Sequence, residues 1–122
     1  MKPLFWIAIF GALGALSRYA LVNAVGGRTF PWGTLCANVL GSALMGFLFV
    51  LIMEKALLAP EFKPMLMTGF LGAFTTFSAF SLEAWELFDR GEPMLALSYM
   101  VGSVVLSLLA LMLGIFLART SF

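Results

Sequence analysis

Histidine is absent from the 122 residues, cysteine occurs once, and charged side chains make up only 11% of the chain. Without histidine the protein lacks the commonest metal ligand and the usual general base. A single Cys36 excludes an internal disulfide framework and a cysteine-based zinc or iron–sulfur centre. The net charge of +1 leaves no broad basic face, so nucleic acid is not an expected partner. No serine-nucleophile motif and no phosphate-cradling glycine loop occurs, so an enzyme is not expected. What is present is apolar surface: 62% of the residues are hydrophobic and the mean hydropathy is +1.06. A soluble domain carries roughly twice this share of charge and about half apolar residues, so neither a soluble monomer nor a disordered chain fits. The lipid bilayer is the solvent in which this chain has to be read.

The charges are few enough to mark the segments. Between Lys2, Arg18, Arg28, Glu54, Lys55, Glu61, Lys63, Glu83, Glu86, Asp89, Arg90, Glu92 and Arg119 lie four uncharged runs. A helix rising 1.5 Å per residue needs about 20 apolar residues to cross a hydrocarbon layer of about 30 Å. Lipid offers no partner for backbone groups, so each run is predicted as a helix. The expected spans are approximately 3–25, 33–53, 63–88 and 93–119, forming one all-α membrane domain, 1–122. The connections are turn-like: Gly26–Trp32 contains Gly-Gly and Pro, 54–63 contains Pro60 and four charges, and 89–93 reads Asp-Arg-Gly-Glu-Pro. The first run is too long for a signal peptide and is expected to be a retained helix.

Four spans place both termini on one side. That side carries Lys2, Lys55, Lys63 and Arg119; the other carries Arg28 and Arg90, with Arg18 near the end of the first span. Lysine and arginine counts orient membrane proteins, and here they differ by one. Either the small excess sets the termini in the cytoplasm, or the chain inserts both ways and pairs antiparallel. Small-residue spacings, Gly11-x-x-Gly14, Ala37-x-x-x-Gly41, Ser42-x-x-x-Gly46 and Gly69-x-x-Gly72, allow close helix approach within or between chains.

Polar groups at membrane depth are costly and mark candidate sites. Arg18 either snorkels to the interface or draws anions at a vestibule. Thr34, Asn38 and Ser42 share one helix face; Asn38 is either interhelical glue or a donor to a dehydrated anion. The third span contains Gly69, Gly72 and the pair Thr75-Thr76, poor helix formers, and a break is expected near 72–76. Phe74, Phe77 and Phe80 recur at a spacing of three; they serve packing, or turn positive ring edges to an anion. Tyr99, Ser103 and Ser107 wind slowly along one face of the fourth span. Their hydroxyls either bond back to their own helix or form a polar track.

These residues resemble the Fluc (CrcB) family of fluoride channels. The resemblance is carried by Gly11-Ala-Leu-Gly-Ala-Leu-Ser-Arg-Tyr19, Gly33-Thr-Leu-Cys-Ala-Asn-Val-Leu-Gly41 and Gly69-Phe-Leu-Gly-Ala-Phe-Thr-Thr-Phe-Ser-Ala-Phe80, in order, and covers nearly the whole chain. It implies a passive fluoride channel of the bacterial inner membrane, with three helices continuous and the third broken. It implies an antiparallel, dual-topology homodimer with two pores and a structural sodium ion (Na+) at the interface, held by the main-chain carbonyls of Gly72 and Thr75. It further implies a fluoride pathway at Asn38, Phe77, Phe80, Ser78, Tyr99, Ser103, Ser107 and Glu83, with Arg18 at the vestibule. Ala79 departs from the family pattern, which usually has Thr or Ser between the two phenylalanines.

Two other functions are compatible with four short spans. A proton-coupled exporter of the small multidrug-resistance type needs a carboxylate in the membrane, and Glu83 is the one candidate. A non-transporting membrane assembly subunit would use the polar stripes only to hold helices together.

Overall fold

The computed structural model of the protein describes residues 2–26 and 29–122. Gly27 and Arg28, on which part of the turn and one loop charge were placed, lie outside the described residues. Among the described residues, four helices are long and apolar enough to cross a membrane: Lys2–Val25, Trp32–Glu54, Lys63–Asp89 and Pro93–Ser121. They form an all-α four-helix bundle whose third span is interrupted in its middle. The bundle is apolar on its outside, with Leu106, Leu109, Leu113 and Phe116 of the fourth span all exposed. That distribution is stable only against lipid tails.

Glycines set which backbones touch. The second and fourth spans meet where Gly46 faces the Leu111 carbonyl and Gly114 faces the Ala43 carbonyl; a Cβ on either glycine would run into main chain. The first span meets the leading half of the third where Gly14 lies against the Phe70 backbone and Gly69 against Ile7 and Phe10. The spacings around Gly14, Gly46 and Gly69 therefore serve contacts within one chain. Gly102 differs: nothing lies within 4 Å of a Cβ built there.

The interruption falls within the expected window, 72–76, at its threonine end. Gly69 and Gly72 stay helical, and the helical turn Gly72–Phe74 ends at Thr75, which is extended (φ −89°, ψ 158°). The helix restarts at Ser78–Asp89. Low glycine propensity alone does not open a membrane helix when every freed backbone group needs a partner. The opening occurs where Thr75 and Thr76 have hydroxyls able to take over. Two segments are also wound more widely than an α-helix, Phe49–Glu54 and Lys63–Leu71. The i→i+5 bond from Lys55 N to Val50 O (2.8 Å) continues that winding into the turn.

The turn after the second span is held tightly. Leu57 N and Leu58 N both donate to Leu51 O (2.7 and 3.2 Å), and Ala56 takes a left-handed backbone (φ 50°). Arg119 grips the Glu54 carboxylate through two nitrogens (2.8 and 2.5 Å), and Lys55 Nζ donates to Arg119 O (3.1 Å). The ends of the second and fourth spans are thereby tied together.

Two substitutions test this packing through thermal unfolding in detergent. Gly114→Leu should destabilise by about 2–3 kcal/mol, because overpacking here strikes main chain that cannot rotate away. Ala56→Gly should stabilise by up to about 1 kcal/mol, since glycine removes the left-handed penalty.

Candidate functional site: a polar groove at the break of the third span

The break is held by one side chain. Asn38 Nδ2 donates to Thr76 O (3.0 Å), and Thr76 N donates to Asn38 Oδ1 (2.8 Å). The amide thus stands in for a neighbouring helical peptide and satisfies both backbone groups of Thr76. Thr76 Oγ1 accepts from Ala79 N (3.2 Å) and caps the restarting helix, and Thr75 Oγ1 donates to Leu71 O (2.9 Å). Gly41 makes room, because a Cβ there would strike the Thr75 methyl group and sit 3.3 Å from the Phe74 ring.

Backbone pairing lapses across the opening. Thr75 N donates to Leu71 O (3.0 Å) and the next such bond is Ser81 N to Phe77 O (2.9 Å). Among the described residues, the carbonyls of Gly72 and Thr75 accept no backbone hydrogen bond. These oxygens could hold a small hard cation, as main-chain carbonyls do at broken membrane helices. Both residues line the groove described next.

A groove of about 430 Å³ runs beside the break, between the second, third and fourth spans. Its polar lining comes from Asn38, Ser42, Thr75, Thr76, Ser103 and Ser107, and its aromatic lining from Phe77 and Phe80. The two rings stand 5.6 Å apart, tilted by 59°. Phe77 is 78% exposed and therefore projects outward rather than filling a core. Ser103 is buried, and among the described residues its Oγ has no hydrogen-bond partner. The back-bonding that usually satisfies a serine in a membrane helix is not made here.

The sequence-derived residues divide over several sites. Asn38, Phe77, Phe80, Ser103 and Ser107 line the groove, as do Gly72 and Thr75. Ser78 is exposed, with its Oγ 3.4 Å from Thr76 Oγ1, and does not line the groove. Tyr99 leaves the serine stripe. It is buried, its ring packs on Phe80 (5.1 Å) and Phe30 (5.4 Å), and its OH donates to Glu83 Oε1 (3.3 Å). Thr34 Oγ1 donates to Glu83 Oε2 (3.0 Å), so both carboxylate oxygens are engaged. Thr34 was legible as the start of the Asn38 face; its bond across 49 positions to Glu83 was not.

Glu83 separates two further cavities. One, of about 360 Å³, is lined by Arg18, Tyr19, Thr34, Thr76, Ala79 and Glu83 among others. The other, of about 440 Å³, opens at the loop end and also includes Thr34 and Glu83 in its wall. Arg18 is half-buried, with its side chain on the first of these cavities. Thr76 belongs to that cavity and to the groove, so the three spaces adjoin in series.

A membrane bundle that opens its own backbone at mid-span and surrounds the opening with amide, hydroxyl and aromatic groups is built as membrane proteins are where they line a polar cavity. Residues 5–115 match the family described as "CrcB-like protein, Camphor Resistance (CrcB)". A fluoride-specific ion channel of Hahella chejuensis is 50% identical over 119 residues, covering 95% of this chain and 94% of that protein. One of Magnetococcus marinus is 50% identical, covering 93% and 95%, and one of Rhizobium meliloti 46% identical, covering 98% of each. The chain belongs to the CrcB/FluC fluoride channel family. Its members are ion channels, and the chain is not an enzyme. With its four apolar spans it is a multi-pass protein of the inner membrane.

The clamp on the break predicts a specific sensitivity. Asn38→Asp removes the donor to Thr76 O and sets two acceptors against each other. It should lower stability by about 1–3 kcal/mol, the cost of stranding a buried polar group, as measured by detergent melting. Ser42→Ala, in the same groove, should leave the melting temperature unchanged.

Proposed function

We propose that the chain is a passive, fluoride-selective channel through which fluoride leaves the cell, working as an antiparallel homodimer with two pores. The observation that carries this reading is the unpartnered, buried Ser103 hydroxyl in a groove that also presents Asn38, Ser107, Phe77 and Phe80. Fluoride is small and strongly hydrated, and stripping its water is prohibitive unless donors replace it. Ser103 Oγ–H, buried in the wall of the groove, has no partner among the described residues and is a candidate donor. The second Asn38 amide hydrogen is also available, because Thr76 O takes only one of the two. Ring edges add positive quadrupole charge without a formal charge. Neutral groups of this kind hold an anion firmly enough to admit it and weakly enough to release it.

In this reading Phe77, Phe80, Asn38, Ser103 and Ser107 form the narrow conduit. Ser78 adds a hydroxyl at its edge. Glu83, with Tyr99 and Thr34 bound to it, stands at the conduit's end, and Arg18 draws anions to the cavity beyond. The groove is open along the third and fourth spans, and the empty space at Gly102 suits the approach of a second copy. Near-equal Lys/Arg counts on the two sides suit insertion in both orientations. A sodium ion on the Gly72 and Thr75 carbonyls would supply fixed positive charge between the two copies; the freed oxygens at the break support that assignment.

The two alternatives fit the geometry less well. A proton-coupled carrier needs an available carboxylate in its path, whereas both Glu83 oxygens accept hydrogen bonds and Glu83 is not part of the groove. A purely structural subunit has no use for an orphaned Ser103 hydroxyl, since an alanine there would be cheaper.

Efflux of fluoride against chloride from liposomes holding only this protein tests the function directly. Fluoride should leave rapidly and chloride not measurably; equal rates, or none, refute the channel. Phe80→Ile should slow fluoride roughly tenfold, as expected for losing about 1–1.5 kcal/mol of ring-edge interaction. Ser103→Ala separates transport from structure. It should leave the melting temperature unchanged or higher, because a buried unsatisfied group is removed, while fluoride efflux falls.

A further inference from the structure

The cavity at the loop end contains an electrostatic conflict that the conduit residues do not resolve. It is lined by Asn23, Thr29, Thr34, Glu83, Glu86 and Arg90 among others, and holds about 440 Å³. At roughly 30 Å³ per water, that volume admits an anion with its hydration shell. Yet two of the side chains in its wall are carboxylates, which repel anions. Asp89 and Glu92 add acids on either side of Arg90 in the adjoining turn. Among the described residues, Arg90 is the one cation in that wall.

We propose that Arg90 is the entry residue of this cavity, holding positive charge at its mouth so that hydrated fluoride is concentrated there despite Glu83 and Glu86. This inference rests on the fluoride-channel reading. Arg90 is exposed, and its Nη2 donates to Thr29 O (3.0 Å). That bond joins the loop after the first span to the turn after the third, the two segments that rim the cavity. The guanidinium is thereby kept at the rim, and it stays charged at any physiological pH. A charge at the mouth of a cavity with low-dielectric walls acts over more of its volume than the same charge on an open surface. Arg90 is therefore a positioning residue for the approaching ion and is distinct from Arg18, which lines the inner cavity on the other side of Glu83.

The test is fluoride efflux from liposomes at a few millimolar fluoride, with ionic strength set by an impermeant salt. The variants are Arg90→Ala, Arg90→Gln and Arg90→Lys, each first checked for unchanged melting. Raising ionic strength from about 10 mM to about 0.3 M shortens the screening length from about 30 Å to below about 8 Å. Arg90→Ala and Arg90→Gln should be about fivefold slower than wild type at the low setting and converge on it at the high one, whereas Arg90→Lys stays near wild type throughout. Wild-type rates for Arg90→Ala at low ionic strength would overturn the proposal. So would a deficit of the same size at every ionic strength, or one that Arg90→Gln repairs, since either marks local bonding of the side chain, such as that to Thr29, and not its charge. A wild-type protein that passes no fluoride would instead refute the channel reading itself.

Discussion

The fold and its site both depend on the pair of hydrogen bonds between the Asn38 amide and the Thr76 main chain. A helix opened at the centre of a bilayer exposes backbone groups that lipid cannot satisfy, and each costs several kcal/mol. One amide side chain carries a donor and an acceptor in the geometry of a peptide group, so it closes the worst of that deficit in a single residue. Once Thr76 is held from the second span, Thr75 can extend and Thr76 Oγ1 can start the next helix. Phe77 then leaves the helical surface and projects outward. Without the clamp, the third span would gain more by running straight, and its phenylalanines would follow the helix face.

Close helix approach supplies the other half of the construction. Gly46 and Gly114 bring the second and fourth spans into backbone contact, while Gly14 and Gly69 do the same for the first span and the leading half of the third. In lipid, such contacts are gained through packing rather than through hydrophobic burial. The buried set is correspondingly small: Leu35, Ala84, Leu87, Ala96 and Tyr99 in one cluster, and Ala37, Leu71 and Phe74 in another. Between the two clusters lies the groove, bounded by the break.

Much of this was legible because the membrane simplifies the code. Long uncharged runs yield spans whose ends differ from the observed ones by a residue or two. The glycine spacings indicate close packing, and close backbone contacts are found there; Asn38 and Ser103, singled out as polar groups at membrane depth, both line the groove. What could not be read were pairings across spans. Periodicity places Tyr99 with Ser103 and Ser107, but its phenol is drawn away by Glu83, sixteen residues earlier on another helix. The expected break near 72–76 contains the observed opening at Thr75; within that window Gly72 stays helical, because glycine costs only about 1 kcal/mol in a helix, less than an unpaired peptide in lipid. The position of the break is thus decided by where replacement hydrogen bonds exist. The wide winding of Phe49–Glu54 and Lys63–Leu71, on either side of one turn, has no signal of its own in the sequence.

The distribution of charge along the three adjoining spaces follows one rule. The groove is lined by uncharged side chains, whereas the formal charges, Arg18, Glu83, Glu86 and Arg90, stand in the two cavities that follow it. A lysine or arginine in the groove would bind a dehydrated halide so strongly that it could not leave, and a free carboxylate would exclude it. Glu83 meets this constraint by accepting from Thr34 and Tyr99 at once. Its two oxygens are turned to hydroxyl donors, so part of its field is spent within the protein before it reaches the neighbouring cavities. The same two bonds fix Tyr99 against Phe80 and so fix one ring of the groove. A single carboxylate therefore shapes the groove through aromatic packing while standing outside it.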